Sequence, residues 1–219
     1  MEVLKVSAAS SSIFKDKKPV SVRIWHWTTF LVLSASMITV LFASTMFSTK
    51  SNVPMVTEQI LKKGGAVTPV QARAVAHEYS DKLWMVHKYI GYGLSFLLLF
   101  RIVIEMIMSK EQRLYAKIMQ VIKPAKVQYP GSDRKHYLFV KYGYLFFYLV
   151  LLVMVITGLG LAYEDVPLLK SLHKPLVQVH SIAQYTVYAY VALHIVGVIR
   201  AEFTGNKGIV SAMINGDPN

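Results

Sequence analysis

Four histidines open or lie within apolar stretches, at spacings that would let them bind metal cofactors in pairs. His180 and His194 are fourteen residues apart in one stretch, while His26 and His87 open two others. Fourteen residues of α-helix rise roughly 21 Å and complete almost four turns, so both imidazoles face the same side of the helix at different depths. Because imidazole is a common metal ligand, this single helix would present ligands to two stacked cofactors.

The composition indicates that these histidines lie in a membrane protein. Of the 219 residues, 54% are apolar and 16% are charged, whereas about 25% of residues are charged in a typical soluble domain. A helix needs about 20 residues to cross a hydrocarbon core. Four stretches meet that length, and we expect them to form an all-α integral membrane four-helix bundle, a single domain over residues 1–219, with spans at residues 24–47, 83–108, 137–163 and 176–199.

Basic residues predict how these spans are oriented. Fourteen of them precede the first span, separate the second span from the third, or follow the fourth, and seven lie in the two opposite connections. By the positive-inside rule, we expect both termini of this multi-pass protein to be cytoplasmic. No signal-peptide cleavage site is recognisable after the first apolar run, so we expect that run to be a retained span. Topology accounts for the net charge of +12, so we expect no nucleic-acid binding.

Two of the connections carry helix signals of their own. The outer one contains Thr68-Pro69-Val70-Gln71, a capping-box spacing with Pro at the first helical position, which predicts a short helix ending near Ser80. Gly64-Gly65 separates it from a preceding helical turn. In the inner connection, Ser109-Lys110-Glu111-Gln112 is again a capping pattern, and an apolar face follows it until Pro124. We interpret that segment as an interfacial helix on the inner leaflet.

The predicted topology arranges the four histidines in two pairs by depth. His26 lies near the inner surface and His87 near the outer surface, while the fourth span runs inward from a shallow His180 to a deep His194. Depth therefore pairs His87 with His180 and His26 with His194. Two histidines across one iron fill both axial positions and leave no open site for a gas or a substrate. We expect two haems that pass electrons.

Cysteine usage narrows the redox chemistry further. The chain contains no cysteine, which excludes disulfides, haem attachment through Cys-x-x-Cys-His, thiolate iron–sulfur clusters and Cys-based zinc sites. Any redox cofactor is therefore held by other ligands.

A structural interpretation of the histidines stays open beside the haem interpretation. A histidine in a membrane span is often a hydrogen-bond donor between helices or a member of a proton path. The agreement of two depth pairs favours haem ligation. We expect His77, His136 and His173, which lie outside the spans or at a span end, to be surface residues.

Three arginines are further candidates for cofactor contacts. Arg101 lies fourteen residues after His87, on the same helix face and at the depth of the inner haem. A buried guanidinium needs an anion, which is either a propionate of that haem or the carboxylate of Glu105 one turn further. Arg23 and Arg200 lie at the inner ends of the spans that carry His26 and His194, where they would neutralise propionates or anchor the spans at the headgroups.

The chain also resembles a known family over nearly its whole length. Arg23-Ile24-Trp25-His26-Trp27 resembles the Arg-x-x-His-Trp opening of the membrane cytochrome b subunits of nickel–iron hydrogenases, formate dehydrogenases and thiosulfate reductases. Trp84-Met85-Val86-His87 with the later Arg101 is similar to their second span, and Thr157-Gly158 to the end of their third. The closing segment Ser211-Ala212-Met213-Ile214-Asn215-Gly216 is most similar to the hydrogenase branch.

This resemblance implies a function and a set of partners. It implies two b-type haems on the histidine pairs given above, a hydrogenase-like or other dehydrogenase subunit as redox partner on the outer side, and quinone chemistry near the inner haem. The chain would then be an electron-transfer subunit of a respiratory oxidoreductase complex in the lipid bilayer of the bacterial inner membrane. Quinone reduction would be the only chemistry that it performs itself. Whether it forms a homo-oligomer is left open.

Two other functions stay open at this point. The first is a stand-alone di-haem enzyme that reduces quinone, such as a superoxide oxidase, which would need a basic funnel over the outer haem to attract the anion. The second is a proton-coupled membrane carrier that uses the histidines as relays. A purified protein without a Soret band would favour the carrier.

Overall fold

The computed structural model describes residues 18–110, 113–122, 131–204 and 208–217, and within these ranges the regular secondary structure is helical. In chain order the helices are α1 (Val20–Ser44), α2 (Thr49–Lys62), α3 (Pro69–Ile107), α4 (Leu114–Ile122), α5 (Gly131–Ala162), α6 (Pro167–Ser171), α7 (His173–Thr204) and α8 (Ile209–Ile214).

Four of these helices are long and apolar enough to cross a membrane. They cover Val20–Ser44, Pro69–Ile107, Lys135–Ala162 and His173–Phe203. Each overlaps one of the four predicted spans, so the all-α integral membrane class is confirmed. The first span ends at Ser44 rather than at residue 47, because the chain turns there and the amide of Phe47 donates to the carbonyl of Phe42 at 2.9 Å. The cytoplasmic location of the termini stays a prediction.

The prediction of a separate short helix before the second span is wrong, because α3 is continuous from Pro69 to Ile107. Its 39 residues give a length of about 58 Å, nearly twice the roughly 30 Å of a hydrocarbon core. Two i,i+4 contacts lie across the expected break, a hydrogen bond between Nδ1 of His77 and the carboxylate of Asp81 at 2.7 Å and an ion pair between Glu78 and Lys82 at 3.7 Å. Residues 80–83 contain neither Gly nor Pro, so nothing interrupts the helix there.

The capping box that starts α3 is formed as predicted. The hydroxyl of Thr68 accepts the amide hydrogen of Gln71 at 3.3 Å, and the side-chain oxygen of Gln71 accepts the amide hydrogen of Thr68 at 2.9 Å. Pro69 is the first helical residue, where its missing N–H costs no hydrogen bond. The separation from the preceding helix is also confirmed, since α2 ends at Lys62 and Gly64 takes a φ of 77°.

The chain divides into two compact units, each with its own buried residues. The smaller is Thr28–Phe96, and the larger comprises the residues up to Trp27 and those from Leu97 onward. In the smaller unit α2 packs on the first turns of α3 through Val56, Ala72 and Ala76. In the larger unit α5 packs along α7. The expectation of a single domain stays a prediction.

The short helix α8 is fixed to the start of α1 within the larger unit. Arg23 Nη1 donates to the carbonyl of Ile214 at 2.7 Å, and Trp27 Nε1 donates to the carbonyl of Met213 at 2.8 Å. At the other end of α8, the carboxylate of Glu202 accepts the amide hydrogens of Gly208 at 2.9 Å and Val210 at 3.3 Å. Unpaired groups at both ends of α8 therefore obtain partners from neighbouring elements.

Glu105 and Arg113 fix the corner between α3 and α4. The carboxylate of Glu105 accepts the amide hydrogen of Leu114, the first residue of α4. Arg113 donates to the carbonyls of Met106 at 2.8 Å and Met108 at 3.1 Å, which closes the end of α3. A carboxylate of the preceding helix therefore caps the amino end of α4. The predicted capping pattern depends on residues 111–112, which lie outside the described residues, and the placement of α4 on the inner leaflet stays a prediction.

Removing the capping hydroxyl of Thr68 should loosen only the start of α3. We expect Thr68→Ala to cost about 1 kcal/mol of local stability, so that the amides of residues 70–72 exchange their hydrogens roughly five times faster. Hydrogen exchange in detergent micelles measures this. Thr57→Ala is the control, because the Thr57 hydroxyl bonds the Val53 carbonyl inside α2 and caps nothing. Equal exchange in wild type and Thr68→Ala would show that the box does not hold this end.

Candidate functional site

His26 and His194 are close to each other in the larger unit. His26 lies near the start of α1, and His194 lies in the second half of α7. Their ring centres are 6.3 Å apart, and the ring planes are inclined at 58°. His26 is half-buried and His194 is exposed. The pair that depth predicted from the sequence is therefore adjacent in space.

This separation fits a metal ion held between the two rings. With metal–nitrogen bonds of about 2 Å and a nitrogen roughly 1 Å from each ring centre, two imidazoles on opposite sides of one ion have centres about 6 Å apart. The Nδ1 atom of His26 is buried and has no hydrogen-bond partner among the described residues. Two neutral imidazoles are a donor set that can fill both axial positions of a haem iron, so these residues fit a haem.

Aromatic rings surround this histidine pair. Tyr190 lies parallel to His194, with ring centres 6.2 Å apart and planes inclined at 5°, and Phe147 stacks on Tyr190 at 4.8 Å. Trp27 meets His26 edge to face at 5.3 Å. These rings provide apolar surface for a flat cofactor and limit the rotation of the imidazoles.

His87 is oriented by a threonine within the smaller unit. Its Nδ1 is 2.8 Å from the hydroxyl oxygen of Thr39, and that hydroxyl is also 2.7 Å from the carbonyl of Ser36. The carbonyl can only accept, so the hydroxyl donates its one hydrogen there and must accept from Nδ1–H. Nε2 of His87 then carries the free lone pair, which is the tautomer of a metal ligand.

His180 has the same arrangement within the larger unit. Its Nδ1 is 2.9 Å from the hydroxyl oxygen of Thr157, which donates to the carbonyl of Val153 at 2.7 Å. The ring also lies close to the backbone of α5, since a Cβ added to Gly158 would be 3.2 Å from Cε1 of His180. The hydroxyl sets the tautomer, and the missing side chain at position 158 makes room for the ring.

The second predicted pair is divided between the two units. His87 belongs to the smaller unit and His180 to the larger one. In each imidazole a threonine hydroxyl lies at Nδ1, so Nε2 is the nitrogen that carries the lone pair. Their pairing across one iron stays a prediction from the sequence.

Arg101 takes part in a buried polar cluster of the larger unit. Only 8% of Arg101 is exposed, and its Nη2 lies 2.8 Å from the carboxylate of Glu105, which is one of the two anions expected from the sequence. Its Nε donates to the hydroxyl of Tyr148 at 3.0 Å, and its guanidinium carbon lies 5.8 Å from the ring centre of Trp25. Nη1 is buried without a partner among the described residues. It is a donor that an additional anion, such as a propionate, would satisfy.

The other two predicted arginines differ in their surroundings. Arg23 donates to the end of α8 and contacts Gly216, whose added Cβ would be 3.3 Å from the guanidinium carbon. This contact gives Arg23 a structural role, while its buried Nε has no partner among the described residues. Arg200 is exposed near the end of α7. Propionate contacts of both residues stay predictions. His77, His136 and His173 are exposed, as expected.

Sequence reasoning missed Thr39 and Tyr148, and it noted Thr157 only for its resemblance to a family. A signal for the threonines was available. Thr39 lies thirteen residues beyond His26, about 20 Å along the helix, which is the depth expected for the outer histidines. A hydroxyl at that depth in an apolar span is a candidate partner for an imidazole. Tyr148 gave no comparable signal, because the chain contains 13 tyrosines.

Comparison with known proteins identifies the family. The family model for prokaryotic cytochrome b561, the cytochrome b subunit family of nickel–iron hydrogenases and similar oxidoreductases, matches residues 18–216. No curated protein and no solved structure matches the chain. The match includes all four histidines and both threonines that bond them. The chain belongs to the prokaryotic cytochrome b561 family and is a multi-pass bacterial membrane protein that binds haem b and transfers electrons.

Proposed function

We propose that the chain is a di-haem subunit that passes electrons between a redox partner on the outer side and the quinone pool of the bacterial inner membrane. The 6.3 Å separation of the His26 and His194 rings is the observation that carries this proposal. Two imidazoles at that distance are suited to the two axial positions of one iron. The family match supports haem b as the cofactor.

Each haem would be held by two histidines. His26 and His194 would hold the inner haem, and His87 and His180 the outer one. Iron with both axial positions filled supplies one-electron oxidation and reduction without binding oxygen or substrate. The chain's own residues fix the imidazole tautomers through Thr39 and Thr157, and they exclude water with the aromatic rings of Phe147 and Tyr190.

The inner site has features that suit propionate binding. Arg101 Nη1 is a buried donor that has no hydrogen-bond partner in the described part of the chain, and Glu105 and Tyr148 hold the rest of the guanidinium in place. We assign Arg101 to a propionate of the inner haem, with Arg23 and Arg200 as weaker candidates. A quinone would bind on this side and take its protons from the cytoplasm, an assignment that rests on family resemblance.

A stand-alone superoxide oxidase remains the alternative function, and two ion pairs weigh against it. Its outer face would need free positive charge to attract an anion. Lys62 lies 2.5 Å from Glu58, and Lys82 lies 3.7 Å from Glu78. These pairs offset two of the cations that would form a funnel, and the resulting mixed surface is better suited to docking a protein. Quinone reduction by superoxide in the purified chain alone would favour the alternative.

Histidine replacements should remove the haems in two groups. We expect His26→Ala and His194→Ala to remove one spectral component and His87→Ala and His180→Ala to remove the other, because a haem iron that loses an axial imidazole loses its bis-histidine spectrum. Low-temperature absorption spectra and pyridine haemochrome assays measure this, with His77→Ala as the exposed control. Fewer than two haems in the fully loaded wild type, or two members of one pair affecting different components, would contradict the assignment.

A side chain at position 158 should disturb the outer haem. In Gly158→Ala the new Cβ would be 3.2 Å from the His180 ring, and overpacking of this kind costs about 1–3 kcal/mol, or roughly five- to 150-fold in affinity. We expect weaker retention of the component that His180→Ala removes, measured by haem loss to an apo-globin acceptor. Gly143→Ala is the matched control on α5, because its Cβ would meet nothing within 4 Å. Equal effects of the two alanines would argue against a role for His180.

Loss of the Arg101 guanidinium should weaken the inner haem. Arg101→Met removes the Nη1 donor, and a hydrogen bond to a charged group contributes about 1.5–3 kcal/mol, so the inner component should be lost roughly 10- to 150-fold more readily. Tyr148→Phe keeps the guanidinium and should have a smaller effect. If the Met variant is unstable, Arg101→Lys replaces it in the test, because it keeps a cation beside Glu105. Haem content per component is the measurement. Full retention of the inner component in both Arg101 variants would rule out propionate binding here.

A further inference from the structure

The four predicted haem ligands do not have equivalent surroundings. His87 and His180, the outer pair, each have a threonine hydroxyl at Nδ1, at 2.8 Å and 2.9 Å. His26, of the inner pair, has a buried Nδ1 without a hydrogen-bond partner among the described residues. The two predicted sites therefore differ in the hydrogen bonding behind their ligands.

The hydroxyls of the two threonines have hydrogen-bond partners even without the imidazoles. The hydroxyls of Thr39 and Thr157 already donate to the carbonyls of Ser36 and Val153. Thr186 on α7 makes the same local bond, to the carbonyl of Ile182 at 2.9 Å, without any imidazole. The contacts to His87 and His180 are thus additional to what burial of a threonine requires, and they act on the histidines.

An acceptor at Nδ1 changes the imidazole as a ligand. A histidine that donates Nδ1–H to an oxygen becomes more basic at Nε2 and is fixed in ring orientation. A more basic axial ligand stabilises ferric iron relative to ferrous iron, which lowers the reduction potential. A threonine whose only hydrogen is committed to a carbonyl is a good acceptor here, because it cannot reverse the bond.

We propose that Thr39 and Thr157 are positioning residues that make the outer haem the lower-potential one of the two. This inference rests on the proposed function, including the pairing of His87 with His180. It adds a role for the two threonines, which the ligand set alone does not give.

The potential difference would make inward transfer favourable. The group held by His87 and His180 would take one electron at a time from an external donor and would pass it to the group held by His26 and His194. Two such transfers, with two protons taken from the cytoplasm, convert one quinone to one quinol.

Removal of the hydroxyls tests the inference. Thr39→Val and Thr157→Val remove the hydroxyl and keep the shape of the side chain. Thr39→Ser and Thr157→Ser retain the hydroxyl and serve as conservative variants. Thr186→Val is the matched control. Midpoint potentials of both components are measured by spectroelectrochemistry, and the outer component is identified as the one that His87→Ala removes.

We expect the outer component of the wild type to have the lower midpoint potential. Each Val variant should raise that midpoint potential by up to about 59 mV, which corresponds to a roughly tenfold change in the one-electron equilibrium constant. The Ser variants should return it to the wild-type value. The inner component should not move in any of these variants, and Thr186→Val should change neither component.

Two results would overturn the inference. One is an outer midpoint equal to or above the inner midpoint in the wild type, and the other is an unchanged outer midpoint in Val variants that retain both haems. If a Val variant loses the outer haem, the inference stands or falls on the order of the two midpoint potentials in the wild type. Fewer than two haems per chain would instead refute the proposed function, so the two failures are distinguishable.

Discussion

A polar group inside an apolar span must find its hydrogen-bond partner within the protein, and this constraint underlies most of the structure. The hydroxyls of Thr39 and Thr157 satisfy it by donating to carbonyls of their own helices. Once that hydrogen is used, each oxygen can only accept, and a neighbouring imidazole must present Nδ1–H to it. The apolar environment therefore selects the histidine tautomer that leaves Nε2 available to a metal.

The same constraint explains the clusters beside the predicted inner ligands. Arg101 is buried, forms an ion pair with the carboxylate of Glu105 and donates to the hydroxyl of Tyr148. Glu105 in turn accepts the first amide hydrogen of α4. Arg23 and Trp27, which flank His26 in sequence, both donate to carbonyls at the end of α8. The start of α1 is thereby fixed on both sides of His26, so the position of that imidazole depends on the last described helix.

The length of α3 links the membrane part of the chain to the segment outside it. Its first turns pack against α2, and the same continuous helix carries His87 and ends beside Arg101 and Glu105. A protein that docks on α2 would therefore lie beside the helix that carries a predicted haem ligand.

The sequence by itself determined the all-α membrane class, the four spans, the capping box at Thr68 and the matching depths of His26 and His194. Each follows from local composition or from the fixed rise of a helix, which needs no knowledge of neighbouring elements. Only the tertiary structure decided the partners of Arg101, the contacts between α1 and α8, and the roles of Thr39 and Tyr148. These depend on which side chains of distant segments meet, and helical spacing gives the depth of a residue but not its neighbour. The continuity of α3 also escaped the sequence, since a cap marks where a helix begins and gives no information on where it ends.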